Sequence, residues 1–354
     1  MSQCSSMSHD NLRERKADHL DLCSTDAVAS RRRTLLDDVR LMHQSLPELH
    51  LDEVDTSVTL LGKRLRAPIV IAGMTGGHER AAEINQALAA VAEERSLAFG
   101  LGSQRAMLSS PSAAWTYRVR EQAPTTLVLG NLGVVQAREL STATIAKLVK
   151  DVGADALCLH MNPAQELIQA GGDRDFRGGV DTFKRLCAEL GVPIVAKETG
   201  NGIGPETARK LRLAGVHVVD VSGAGGTSWV GVETLRAQGS ERDLGQTLWD
   251  WGVPTAPSIV FARREGLLPI ATGGMQTGLD IARAIALGAI AGGFARNLYM
   301  AFVQEGRGGA EAFLDRVERE LRAVMLLCGA RNIDQLRETP RTLSGELKEW
   351  LDFT

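Results

Sequence analysis

Residues 156–166 read A-L-C-L-H-M-N-P-A-Q-E, a short apolar run that ends at once in His160, Asn162, Gln165 and Glu166. Four to six apolar residues stopped by a proline have the length and pattern of a buried strand. A strand needs no such polar cluster at its C-terminal end, whereas a site that handles a charged substrate or a metal does. Similar runs recur on both sides, at 68–72, 96–100, 126–130, 193–197, 216–221, 268–272 and 290–294. Helix-like stretches at 80–95, 142–152, 182–190, 205–213 and 279–287 separate several of them. Repeated strand-helix units with nearly continuous apolar strands predict a parallel sheet covered on its faces. Eight of them point to an α/β fold of the TIM (β/α)8 barrel type rather than an open doubly wound sheet.

With 354 residues, 44% hydrophobic, the chain can bury a core of that size. The net charge of −3 gives no pull toward nucleic acid or an anionic membrane surface. Five cysteines (Cys4, Cys23, Cys158, Cys187 and Cys328) are odd in number and widely spaced, which argues against a disulfide framework or a zinc site. No apolar run approaches the roughly 18 residues a spanning helix requires. The expectation is a cytoplasmic protein with no membrane or nucleic-acid partner. The charged segment 1–50 reads as an extension, with a helix expected over 31–42, and 51–354 as the barrel. The long interval 222–265 after the sixth strand reads as an insertion on the face where barrel active sites lie.

Every strand has unusual chemistry at the same end. The first ends in M-T-G-G (74–77), the second in G-S-Q-R (102–105), the third in Gly130-Asn131 and the fifth in Lys197-Glu198-Thr199. The sixth runs into S-G-A-G-G-T-S-W (222–229), the seventh into T-G-G-M (272–275) and the eighth into Ala295-Arg296. Single glycine turns are ordinary, but eight such ends together describe one mouth. Backbone N–H groups of the last three loops, with the helix starting near Thr277, suit a phosphate. Lys197 ends a strand that otherwise reads V-P-I-V-A, so it is either ion-paired with Glu198 or Asp220 or placed beside an electron-accepting cofactor.

In this order, R-K-A-D-H, M-T-G-G, G-S-Q-R, G-N-L-G, H-M-N-P-A-Q-E, K-E-T-G-N-G-I and S-G-A-G-G-T-S-W resemble the type 2 isopentenyl-diphosphate isomerases over about 15–296. The resemblance implies a TIM barrel that binds FMN, uses NADPH to reduce it and Mg2+ to bind substrate, and interconverts isopentenyl and dimethylallyl diphosphates as a homo-oligomer, tetramer or octamer. It implies FMN contacts at Met74, Thr75, Gly76, Ser103, Asn131, Lys197, Ser222, Thr227, Gly273, Gly274, Met275, Ala295 and Arg296. Arg15, Lys16, Ser103, Gln104, Arg105, His160, Asn162 and Gln165 would surround the substrate, with residues 1–50 supplying a mobile lid supported by His19. Glu166 would hold the metal. Gln165, Lys197 and His160 would support catalysis, while reduced FMN acts as acid and base. Trp229 either walls the apolar pocket or packs in the core. One departure concerns Gln276, where many relatives have arginine. The rival reading, an FMN-dependent 2-hydroxy-acid oxidase or dehydrogenase, calls for a histidine after strand six, which S-G-A-G-G-T-S-W lacks.

Overall fold

In the computed structural model, which describes residues 9–352, eight parallel strands close into a barrel. Cys4 and the rest of residues 1–8 of the extension lie outside the described residues. The strands are β1 (Ile69–Ile71), β2 (Ala98–Gly100), β3 (Leu127–Gly133), β4 (Ala156–Met161), β5 (Ile194–Glu198), β6 (Val218–Asp220), β7 (Leu268–Ala271) and β8 (Ala291–Phe294). Each overlaps one of the eight runs expected from the sequence, with β3, β4 and β5 continuing past theirs to Gly133, Met161 and Glu198. Closure is made by β8 against β1, with Gly292 opposite Ile69 and Phe294 opposite Ile71.

Alternation along the strands builds two cores. Val70, Ala98, Leu127, Leu129, Ala156, Cys158, Val195, Val218, Ile270 and Ala291 point inward and pack with Leu60 and Leu65 of the hairpin Val58–Leu60/Lys63–Leu65. Their neighbours Ile69, Phe99, Val128, Leu157, Leu159, Ile194, Ala196 and Val219 belong to the core beneath the helices. Two residues further along the inward-facing series come Asn131, His160, Lys197, Asp220 and Thr272. The barrel interior therefore turns polar at its C-terminal end, where the site lies.

The helix Thr142–Val152 shows how the outer layer is specified. Ser141 caps it by accepting the Thr144 N–H, Gly153 ends it at φ 65°, and Ile145, Leu148, Val149 and Val152 form its buried stripe. Each of these burials stabilises by roughly 1.5–3 kcal/mol. The interval after β6 holds two additional helices, Trp229–Arg236 and Gly239–Leu248, followed by Thr255–Arg264, which packs on β7 as the ordinary helix of its unit.

The extension departs from the expected helix over 31–42. Its α-helix is His9–Cys23, whereas Leu35 adopts φ 61°, a 3-10 turn spans Leu36–Asp38, and Val39–Leu41 pairs antiparallel with Arg341–Leu343. Tertiary partners override local composition here: the buried Asp38 carboxylate accepts the Leu347 N–H and the Arg33 guanidinium. Among the described residues no helix is long and apolar enough to cross a membrane.

Candidate active site

A cavity of about 660 Å³ opens at the C-terminal ends of the strands, roofed on one side by Arg15, Lys16, His19, Leu20 and Cys23 of the helix His9–Cys23. All but one of the residues assigned to the site from the sequence line it. The exception is Gln104, which is fully buried away from the cavity. Its side-chain amide donates to the Leu148 carbonyl (3.1 Å) and its oxygen accepts the Asn131 N–H (3.0 Å). The fold uses Gln104 to tie β3 to a neighbouring helix rather than to meet a ligand.

Charged side chains build the part of the cavity next to the extension. Arg15 is half-buried, and its Nε and Nη1, both shielded from solvent, have no hydrogen-bond partner among the described residues. Burial lowers its pKa, opposed by Glu233, with Arg105 and Glu166 also within its field. Unspent guanidinium donors cost free energy unless an anion meets them. Lys16 donates to the Gly76 carbonyl and to the Tyr117 hydroxyl (2.8 Å), and burial, reinforced by Arg15, brings it down to about 7. Glu166 is buried at the start of the helix Pro163–Ile168. It accepts Asn162 Nδ2 (3.0 Å), Gln169 Nε2 (3.3 Å) and the Asp173 N–H (2.8 Å).

Glu233 is a residue that sequence reasoning missed. It lies 1% exposed on the helix Trp229–Arg236, where it accepts from Gln165 Nε2 (3.3 Å), His19 Nε2 (2.8 Å) and Arg236 Nη1 (2.9 Å). Burial alone would raise its pKa, but the His19 hydrogen bond and the nearby cations hold it below the ordinary carboxylate value. The available signal was a lone glutamate one turn after Trp229 in W-V-G-V-E. Trp229 itself lines the cavity and meets His19 edge-on at 5.2 Å.

At the floor, Lys197 pairs with Asp220 at 2.7 Å, and Thr272 Oγ1 donates to the same carboxylate. Glu198, on the opposite face of β5, instead accepts the N–H groups of Thr199, Gly200 and Asn201. This resolves the two pairings open to Lys197. His160 Nδ1 lies 2.8 Å from Asn131 Oδ1, and since Asn131 Nδ2 donates to the Leu101 carbonyl, Oδ1 must accept. His160 therefore carries its proton on Nδ1. Burial, aided by Lys197 and Arg105, lowers it to about 4, so the ring is neutral near pH 7 and Nε2 is an acceptor.

The loops after β6, β7 and β8 form the other part from backbone. A Cβ on Gly226 would lie 2.2 Å from Gly274 N, and one on Gly273 (φ 94°) 2.2 Å from the Gly223 carbonyl, so the two loops interlock only as glycines. Around this junction the N–H groups of Gly226, Thr227, Gly274, Met275, Arg296 and Asn297 donate to no acceptor among the described residues. Such a cradle fits a phosphate. The helix Gly278–Ala286 does not contribute, contrary to expectation. Asp280 accepts the N–H groups of Gln276 and Thr277, Thr277 that of Asp280, and Glu320 that of Gly278. The helix beginning at Arg296 has no side-chain cap and supplies open donors instead. The Arg296 guanidinium is itself committed to the Thr25 carbonyl and Asp26.

The profile of the FMN-dependent dehydrogenase family matches residues 8–166 and 161–342. Solved structures of mandelate oxidase share the fold: the complex with (S)-2-phenylpropionate superposes with a TM-score of 0.64 at 19% identity, covering 96% of this chain and 99% of that one. Among curated proteins, the isopentenyl-diphosphate delta-isomerase of Methanosarcina barkeri is 45% identical over 96% of this chain and 94% of its own length. That of Halobacterium salinarum is 43% identical over 96% of each. The chain thus belongs to the isopentenyl-diphosphate delta-isomerase family, within the wider FMN-dependent dehydrogenase family.

Proposed function

We propose that the protein interconverts isopentenyl and dimethylallyl diphosphates with FMN bound in the barrel mouth. The observation that carries this reading is Arg15, which lines a cavity that also holds Arg105 and Glu166 and whose Nε and Nη1 have no partner among the described residues. A 2-hydroxy-acid oxidase would need a histidine base after β6, and the residues there are glycine, alanine, serine, threonine and tryptophan.

Met74, Thr75 and Gly76 would lie along the flavin, with Ser103, Asn131 and Lys197 at its ring and Ser222, Thr227, Gly273, Gly274, Met275, Ala295 and Arg296 at its phosphate. Bound FMN, reduced by NADPH, would supply the acid-base chemistry. Lys197, paired with Asp220, keeps a fixed cation on the floor. Arg15, Lys16 and Arg105 anchor the diphosphate, and the helix His9–Cys23 acts as the lid that excludes water. Glu166 would hold Mg2+ together with substrate phosphate oxygens. One carboxylate is adequate for that ion, and the described residues contain no group of three or more candidate ligands. His160, an acceptor at Nε2, suits a ligand donor or a bound water better than a bare phosphate oxygen. Gln165 is too weak a base to act alone, but its contact with Glu233 places an ionised carboxylate behind it.

An anaerobic assay with isopentenyl diphosphate, FMN, NADPH and Mg2+ tests the reading. Dimethylallyl diphosphate is the expected product, and its absence overturns the proposal. Glu166→Gln should weaken Mg2+-dependent substrate binding and leave flavin bound; loss of flavin instead would move Glu166 out of the metal role.

A further inference from the structure

We propose that Arg316, outside all the motifs above, is the charged anchor of the FMN phosphate in this chain, standing in for the arginine absent at position 276. The inference rests on FMN as the bound flavin. Three observations lead to it. First, Arg316 lines the same cavity as Gly274, Gln276 and Ala295, although it comes from the second half of the kinked helix Arg296–Leu327. Second, its guanidinium sits over the Phe313 ring at 5.1 Å, with Nη2 3.4 Å from the Gln276 carbonyl oxygen. Phe313 is in turn edge-on to Phe294 of β8 at 5.1 Å, so the stacked guanidinium is fixed relative to the last strand. Third, other charges at this edge are unsuitable: Arg296 is tied to Thr25 and Asp26, while Asp280 and Glu320 cap the helix Gly278–Ala286.

Asp280 and Glu320 do not line the cavity, and each has its own cation: Arg283 lies 3.6 Å from Asp280, and Arg316 Nη1 lies 3.1 Å from Glu320 Oε1. Of these four side chains only Arg316 reaches the cavity. The neutral cradle of N–H groups then shapes the phosphate site, and Arg316 supplies the charge.

The test compares FMN with riboflavin, which differ by the phosphate, by titrating flavin fluorescence against apoprotein. Wild-type protein should prefer FMN. Arg316→Met, which keeps an aliphatic stem on Phe313, should cut FMN affinity by about tenfold while leaving riboflavin unchanged. Arg316→Lys should recover part of the loss, and Gln276→Arg in the Arg316→Met background should restore the preference. Equal weakening of both flavins, or an unchanged preference, overturns the assignment. If wild-type protein binds riboflavin but gains nothing from the phosphate, the anchor is refuted while flavin binding stands. If it binds neither flavin, the cofactor reading itself falls.

Discussion

The two sides of the barrel mouth are built from different materials. On the side of β6, β7 and β8, interlocked glycine loops present backbone N–H groups, and apart from Arg296 and Arg316 little there carries charge. On the side of β4 and the extension, Arg15, Lys16, Arg105 and Glu166 line the mouth with Glu233 behind Gln165 and His19, and Arg15 keeps two donors unspent among the described residues. A cradle of main chain is fixed by folding and insensitive to pH, so it suits a cofactor that stays. Charged side chains held short of partners are unstable until an anion arrives, which suits a substrate that comes and goes.

The contrast breaks most visibly through glycine. Gly226→Ala puts a methyl 2.2 Å from Gly274 N. It should cost about 3 kcal/mol by denaturant unfolding and abolish FMN binding. Wild-type stability with normal flavin affinity would mean the two loops are not rigidly interlocked. On the charged side the signs differ. Arg15→Met should leave the ligand-free chain as stable or about 1 kcal/mol more stable, because two unsatisfied donors disappear. Its affinity for isopentenyl diphosphate should fall about a hundredfold. A stability loss without an affinity loss would make Arg15 a structural residue.

The smallest effect is in pH. Lys16 in the folded chain titrates at about 7, below its ordinary 10.5, so between those values the unfolded chain binds more protons and stability rises with pH. Substrate binding needs the protonated form. Affinity should be flat below pH 7 and weaken by about tenfold by pH 8, a slope that Lys16→Met removes. The same slope in that variant would locate the titration elsewhere.

The barrel was legible because each strand is an apolar run read by both cores, and the site because polar residues continue the inward series at one end. Gln104 misled because G-S-Q-R gives no sign that its third residue turns back to satisfy buried backbone. The helix expected over 31–42 failed because Val39–Leu41 finds its partner some three hundred residues later, which no local pattern encodes. Glu233 is unremarkable in sequence and becomes significant only once Gln165 and His19 are brought to it.

That late partner has a kinetic consequence. Val39 and Leu343 face each other across nearly the whole chain, so the root of the extension pairs only after every intervening strand has been made. Loop-closure entropy places such a contact late in folding. The extension lies on both halves of the mouth: Ser30 donates its N–H to the Gly226 carbonyl in the glycine loops, and His19, on the helix that bears Arg15 and Lys16, meets Glu233. A newly made chain therefore completes its barrel before the extension is fastened over the mouth.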